Sequence, residues 1–256
     1  MKRYFTKKQI ADLRLKYATV EKKTDNLLLK FVYFPFKNEQ AKHYAEQGFA
    51  RRIQVLRRCI DNVFKIIPPG TVKLPSKARL YDAQINIQAF LANVYGIVDN
   101  LAWIWVYECR LSDSIPRRHV GLGKENKAVR NSLSVDLQTY LDAMEGWFEY
   151  LAEFRHALAH RVPVYIPPGM VPQKNVDAYN AITRQMTDAL NQMRPRDYER
   201  LSEEQRKLLV FQPLIAHSIT ETKAPYVFHA QLIADFLTVE ALGEKILEEL
   251  RLRSSA

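Results

Sequence analysis

Glycine is scarce in this sequence, which has 8 glycines among its 256 residues. At the usual frequency of about 7%, a chain of this length would hold about 18. Leucine, alanine, lysine, arginine, glutamate and glutamine are instead plentiful, and all of them favour helices. The composition therefore predicts an all-α fold, and the length fits one large helical domain.

Several familiar catalytic signatures are also absent. The sequence contains no Gly-x-Ser-x-Gly elbow and no His-Glu-x-x-His pair, so the corresponding hydrolase classes are disfavoured. The run Gly121-Leu122-Gly123-Lys124 lacks the Ser or Thr that follows the lysine of a phosphate-binding loop. Asn126 stands where the dinucleotide fingerprint needs its third glycine, so neither type of phosphate loop is predicted.

Cysteine is limited to Cys59 and Cys109, which lie far apart, each within an apolar helical pattern. They are predicted to be buried free thiols, and this suits a reducing compartment. The basic N-terminal residues are not followed by the apolar core of a signal peptide. We therefore expect a cytoplasmic protein.

One apolar run, residues 89–107, approaches membrane-spanning length. Asp99 and Asn100 lie in the middle of it, and a central aspartate costs about 2.5 to 3.5 kcal/mol on insertion scales. The run is therefore predicted to be a buried bundle helix, and no membrane partner is expected.

Acidic residues are fewer than basic ones, with 28 Asp plus Glu against 38 Lys plus Arg and a net charge of +10. This charge favours phosphate-rich partners such as RNA or a nucleotide. One face of the predicted helix 39–67 is strongly basic, and we interpret it as a solvated face rather than a phosphate-facing stripe. Its basic residues are Arg51, Arg52, Arg57, Arg58 and Lys65.

Apolar residues recur at helical spacing along most of the chain. The predicted helices cover residues 39–67, 76–111, 141–161, 175–193, 195–209 and 229–250. Pro-rich and irregular segments connect them, including a loop over 112–134 and irregular chain or short strands over 210–228. Residues 1–38 are ambiguous, because a basic helical start is followed by β-branched and aromatic residues.

The densest cluster of reactive side chains lies at the end of the predicted helix 141–161. Pro163 should end this helix near Arg161. Arg155 and His160 stand five residues apart, and His156 directly follows the arginine. A helical apolar stripe is predicted at Leu141, Met144, Phe148, Leu151, Ala152, Leu158 and Ala159.

These three residues, Arg155, His156 and His160, form an Arg-x4-His motif that resembles the signature of the HEPN superfamily (higher eukaryotes and prokaryotes nucleotide-binding). The resemblance implies a dimerising helical bundle, with a HEPN-like core over about 76–251 and an N-terminal helical extension over about 1–70. In many HEPN proteins the motif cleaves RNA without a metal or cofactor. By this likeness His160 would transfer protons, Arg155 would stabilise the charged phosphorane and His156 would position the substrate.

The motif's spacing does not bring its two main residues together within one helix. At 100° per residue, Arg155 and His160 point about 140° apart. Arg155 could curl back, the last turn could distort before Pro163, or a two-fold axis at the helix end could supply a second pair. The last of these, a composite site in a homodimer, is the prediction. Arg161, Asp99 and Tyr165 are the candidate substrate-binding residues, with Tyr165 in an extended segment that follows the helix.

Three alternatives stay open at this point. Glu149, Glu153, His156 and His160 share one helix face and could hold a metal, but a second Glu-x-x-His is lacking. The domain could instead be a non-catalytic module that holds a nucleotide, or a protein partner such as an antitoxin. The motif residues could also do no more than interact with the helix C-terminus. Asp99 and Asn100 are either a satisfied polar pair in the core or partners that orient an imidazole.

Overall fold

The computed structural model describes residues 3–217 and 225–255, and helices make up about 72% of it. The predicted all-α fold is therefore confirmed. The helices, in chain order, are α1 (Lys7–Val32), α2 (Glu39–His43), α3 (Ala50–Ile66), α4 (Lys77–Glu108), α5 (Lys127–Arg130), α6 (Val135–Ala143), α7 (Glu145–His160), α8 (Val176–Asn191), α9 (Pro195–Arg206) and α10 (Phe228–Ser255). A π-helical turn, Tyr44–Phe49, joins α2 to α3.

The ambiguous N-terminal region is mostly one helix, α1. Thr6 caps it by accepting a hydrogen bond from the Gln9 backbone N–H, and the Gln9 side chain accepts one from the Thr6 backbone in return. This reciprocal pair fixes the start of the helix. Leu27 and Phe31 continue the helical spacing and are fully buried, so packing overrides the strand preference of the neighbouring residues.

Helix α4 is the central helix of the bundle and packs against α3, α10 and α7. The Ser76 hydroxyl caps it as predicted, accepting from the Arg79 N–H at 3.3 Å, and the helix ends at Glu108 rather than near Leu111. It is long and apolar enough to span a membrane, but 61% of its apolar window is buried within the fold. In this structure it is the buried bundle helix that the sequence predicts.

The predicted helix 141–161 is wrong at its start, because the chain leaves helical geometry at Met144 (φ −96°, ψ 5°). The chain therefore forms two helices, α6 and α7. The break changes which residues of α7 face inward, so the predicted apolar stripe is only partly correct. The buried residues of α7 are Tyr150, Leu151, Phe154 and Ala157, whereas Ala159 is exposed.

The predicted loop 112–134 also contains helical structure, with a 3-10 turn at Arg117–His119 and the short helix α5. Arg130 at the end of α5 is buried, donating to the Leu122 carbonyl at 2.7 Å and to the Asp142 carboxylate at 2.9 Å. Buried charged groups need such partners. At least one basic residue of this segment, Arg130, therefore stabilises the fold and is not available to a ligand.

Helix α10 packs along α1 and α4 and includes the predicted helix 229–250. The seam predicted on it is buried at every position, namely Leu232, Phe236, Val239, Gly243, Ile246 and Leu250. Before it, Leu214–Ile215 pairs in antiparallel fashion with Tyr226–Val227, so short strands do occur within 210–228. Residues 218–224 of that predicted segment lie outside the described residues.

Both cysteines are free thiols, and Cys59 is buried while Cys109 is half-buried. Burial raises the pKa of each thiol to about 11. Both thiols are therefore protonated at neutral pH. The predicted burial is confirmed for Cys59, whereas Cys109, at the end of α4, is buried only in part.

Candidate functional site

The last two turns of α7 place the three motif residues at the surface. Phe154 and Ala157 are buried, while Arg155, His156 and His160 are exposed on the other sides of the helix. The helix ends at His160, and Arg161 already has extended backbone angles (φ −129°, ψ −156°). The predicted end of the helix before Pro163 is confirmed.

Arg155 is directed towards the central helix α4. Its guanidinium carbon lies 4.6 Å from the centre of the Tyr95 ring, which is a favourable cation–π geometry. The positive charge also acts on Asp99, one turn further along α4. The ring of Tyr95 therefore holds the guanidinium in place beside a carboxylate while leaving the arginine exposed.

Asp99 has a raised pKa of about 6, chiefly because burial disfavours its charged form. The positive charges of Arg155 and then of Arg52 lower this pKa, but they do not cancel the effect of burial. Burial, and then the charge of Asp99, also raises the pKa of Tyr95. Asp99 thus changes charge in the pH range where enzymes usually work, and it does so next to the motif arginine.

Asn100 plays a different part from its neighbour Asp99. Its Oδ1 accepts a hydrogen bond from Arg52 Nε at 3.1 Å, and Arg52 also donates to Asn93 at 3.0 Å. The guanidinium packs so closely on Gly96 that a Cβ there would lie 2.5 Å from it. Asn100 is therefore a satisfied polar group of the core, whereas Asp99 interacts with arginines and not with an imidazole in the described structure.

Arg52 is a member of this network that the sequence interpretation missed. The basic stripe predicts Arg52 on the solvated face of its helix, yet this residue is half-buried between α3 and α4. Its neighbour Arg57 lies on the other side and pairs with Glu21 and Asp25 of α1. The spacing of basic residues along α3 did not reveal this difference, because the asparagine partners of Arg52 lie on another helix.

The two motif histidines form a pair of their own. The rings of His156 and His160 are 6.1 Å apart between centres and tilted by 49°. No hydrogen bond joins His160 to Arg155 among residues 3–217 and 225–255. Arg155 contacts α4 and the two histidines contact each other, in agreement with the separation of about 140° expected between Arg155 and His160 on a straight helix.

The two other candidate substrate-binding residues lie just beyond α7. Arg161 is exposed at the helix end, whereas Tyr165 is half-buried in an extended segment. The Tyr165 N–H donates to the Ala216 carbonyl at 2.9 Å, and Gln88 of α4 donates to the neighbouring Val164 carbonyl at 2.6 Å. The segment that follows the end of α7 is therefore attached to α4.

The metal alternative gains no support from the positions of its residues. Across the described ranges, no three His, Cys, Asp or Glu side chains are placed to hold a metal ion. Glu149 lines a cleft near the start of α7, whereas His156 and His160 do not line it. The four residues proposed as metal ligands therefore do not share one site, because Glu149 faces the cleft and the two histidines lie outside it.

That cleft, with a volume of about 300 Å³, lies between α4, α7 and the segment after the 3-10 turn. Its charged lining residues are Asp99, Arg118, Glu125, Glu145 and Glu149. Four of these five are carboxylates, so the cleft within one chain is acidic. A phosphate-binding site that includes the motif would therefore have to form outside this cleft, on the exposed surface that carries Arg155, His156 and His160.

A buried carboxylate, Asp235 of α10, holds α7 in position. It accepts hydrogen bonds from Trp147 Nε1 at 2.9 Å, from the Tyr150 hydroxyl at 3.1 Å and from Gln231 Nε2 at 2.8 Å. Burial raises the pKa of Asp235 to about 6, while its three donors lower it. No local sequence pattern indicates this contact, because Asp235 lies 88 residues from Trp147.

Comparison of the chain with models of protein families, with curated proteins and with solved structures finds no match. The likeness to HEPN proteins therefore stays a prediction that depends on the motif Arg155, His156 and His160.

Proposed function

We propose that this protein is a metal-independent endoribonuclease that cleaves single-stranded RNA at a site built from two chains. One observation carries the proposal, namely that Arg155, His156 and His160 are exposed together in the last two turns of α7. The net charge of +10 favours encounter with RNA, and the motif resembles that of HEPN ribonucleases.

The chemistry follows from the three side chains. His160 takes the proton from a ribose 2′-OH, and the 2′ oxygen attacks the adjacent phosphorus. The bond from phosphorus to the 5′ oxygen then breaks, and a second imidazole donates a proton to that leaving oxygen. Arg155 stabilises the additional negative charge of the phosphorane, because its planar fork matches two phosphate oxygens.

A second chain would bring an arginine and a histidine together, which one copy of α7 does not do. Arg155 is held against Tyr95 on the α4 side, whereas His160 pairs with His156. We infer that a two-fold axis near the end of α7 places Arg155 of each chain opposite His160 of its partner. The cleft at this axis would hold both of these Arg155–His160 sites, with two arginines and up to four histidines in total, and would attract phosphate.

The proposal is tested by incubating the purified protein with labelled single-stranded RNA in the presence of EDTA. We expect cleavage in wild type, and its loss in Arg155→Ala. Arg184→Ala is the matched control, because Arg184 is an exposed arginine on α8 and should leave cleavage unchanged. Intact RNA with wild type, or equal cleavage by the two variants, would contradict the proposal.

A non-catalytic nucleotide-binding module is the second candidate function. The cleft of about 300 Å³ favours it through its aromatic rings, Tyr95 and Phe148, which would hold the base. Its four carboxylates oppose phosphate and leave Arg118 as the basic partner, so a nucleotide with few phosphate groups fits it best. Pockets of roughly this size hold small ligands. Calorimetric binding of a nucleotide with no RNA turnover would favour this function over the ribonuclease.

The charge of Asp99 next to Arg155 leads to a prediction on pH dependence. Since the pKa of Asp99 is about 6, its carboxylate is charged at pH 7.5 and opposes phosphate, and it is mostly protonated at pH 5. We expect Asp99→Asn to tighten RNA binding about two- to fivefold at pH 7.5 and to have no effect at pH 5. Binding curves at both pH values measure this.

The same measurement distinguishes repulsion from positioning. If the carboxylate mainly orients Arg155, Asp99→Asn would instead weaken RNA binding at pH 7.5. That outcome would make Asp99 a positioning residue and would contradict the predicted electrostatic role.

A further inference from the structure

A cluster of aromatic rings lies further along α4 from the motif. Tyr44 in the π-helical turn and Trp103 and Tyr107 of α4 have ring centres 5.8, 5.5 and 5.2 Å apart. Arg117, in the 3-10 turn, places its guanidinium carbon 5.5 Å from the centre of the Trp103 ring. We call these four residues the aromatic platform. Its three rings are half-buried, and Arg117 is exposed.

The polar atoms of the platform have no partners within the described structure. No hydrogen bond is formed there by the indole N–H of Trp103 or by the hydroxyls of Tyr44 and Tyr107. The other two tryptophans differ, since Trp105 donates to Ser132 at 2.8 Å and Trp147 donates to Asp235 at 2.9 Å. The platform therefore has hydrogen-bond donors that remain available to a ligand.

The platform is continuous with the surface around the motif arginine. Tyr95, Asp99, Trp103 and Tyr107 follow one another at intervals of four residues, so each is a neighbour of the next, lying one turn further along α4 and about 40° further round it. The rise along the helix separates Tyr95 from Trp103 by about 12 Å. An arginine lies over an aromatic ring at both places, Arg155 over Tyr95 and Arg117 over Trp103.

We propose that the aromatic platform stacks unpaired bases of the single-stranded RNA whose phosphate is bound by Arg155. This inference rests on the proposed function and adds a base-binding subsite to it. Aromatic rings bind bases of any sequence by stacking, and nearby arginines bind the backbone phosphates. The exposed Arg117 supplies that positive charge at the platform, and the exposed Arg118 lines the cleft that also contains Tyr95 and Asp99.

Stacking requires bases that are free of pairing, and this makes the inference specific. Bases within an RNA duplex are stacked on each other and do not present a free face to a side chain. The platform should therefore bind single strands more tightly than hairpin stems. It should also tolerate changes of sequence, because every base has a π-face.

The experiment measures binding separately from cleavage. Fluorescence anisotropy with a labelled single-stranded RNA is recorded for full-length protein in a His160→Ala background, which prevents turnover. We expect Trp103→Leu and Tyr107→Leu each to weaken binding about tenfold, and Arg117→Ala to weaken it less. Tyr81→Leu is the matched control, because Tyr81 lies on the same helix and is 63% exposed.

Several outcomes would overturn the inference. They are unchanged affinity in Tyr107→Leu and Arg117→Ala, an equal loss in Tyr81→Leu, or equal affinity of wild type for a hairpin stem and a single strand. Circular dichroism verifies the fold of each variant, and the three platform substitutions serve as independent tests if one of them does not fold. Platform-dependent binding without any cleavage by wild type would support the platform and contradict the ribonuclease proposal.

Discussion

Replacing His160 with alanine is expected to lower the rate constant of RNA cleavage by about 10²- to 10⁴-fold, the usual contribution of a general acid or base. The side chain is exposed at the end of α7, so its loss removes no core contact and should leave the fold intact. RNA affinity should change little, because Arg155 and the aromatic platform remain. Single-turnover kinetics at saturating RNA measure the chemical step directly.

Free imidazole provides the control for this variant. If His160 transfers a proton, imidazole added to His160→Ala should restore part of the cleavage rate in proportion to its concentration. A variant that had lost activity through misfolding would not respond in this way. Wild-type rates in His160→Ala would exclude proton transfer by this residue.

Replacing Asp235 with alanine is expected to lower the free energy of unfolding by about 2 to 4 kcal/mol. The carboxylate is 1% exposed and accepts hydrogen bonds from Trp147, Tyr150 and Gln231. Its removal leaves these donors without their acceptor and removes the two hydrogen bonds that join Trp147 and Tyr150 of α7 to α10. Urea unfolding followed by circular dichroism measures the loss.

Two further variants separate the causes of this effect. Asp12→Ala removes an exposed aspartate of α1 and should change stability by less than about 0.5 kcal/mol. Asp235→Asn retains an acceptor for Trp147 and Gln231, so it should be milder than Asp235→Ala. Equal stability of Asp235→Ala and wild type would show that these hydrogen bonds contribute nothing to the attachment of α7.

The sign of the pH dependence also follows from the raised pKa of Asp235. Its value of about 6 in the folded protein exceeds the usual value of about 3.9 for an unfolded chain. The folded state therefore binds the proton more tightly, and stability falls as the pH rises from about 4 to about 6. This fall should be smaller in Asp235→Asn than in wild type.

The helices could largely be predicted from the sequence, because their signals are local. The cap at Ser76, the end of α7 before Pro163 and the seam of α10 depend on residues within a few positions of each other. The break at Met144 could not be predicted, since no proline or glycine stands at that position. The ambiguous start of the chain becomes a helix through burial of Leu27 and Phe31.

The candidate site could be predicted only in part, for the same reason. Arg155 and His160 belong to a short motif and are visible in the sequence. The contacts that position them are distant, with Arg155 lying 60 residues from Tyr95 and Trp147 of the same helix lying 88 residues from Asp235. Periodicity within one helix does not reveal which residues of two helices will meet.

The composite site is tested most directly by a mixed dimer that carries Arg155→Ala in one chain and His160→Ala in the other. Different affinity tags on the two chains allow this species to be purified after co-expression. If each site combines Arg155 of one chain with His160 of its partner, one of the two sites is intact. The mixed dimer should then cleave RNA at about half the wild-type rate, although each parent variant is nearly inactive.

The reciprocal mixed dimer combines a wild-type chain with a chain that carries both substitutions. A composite site predicts that this dimer is nearly inactive, because each of its sites lacks either Arg155 or His160. A site within one chain predicts the reverse result, with about half the wild-type rate here and almost none in the first mixed dimer. That reversed pattern, or a chain that stays monomeric while cleaving RNA, would contradict the two-chain site.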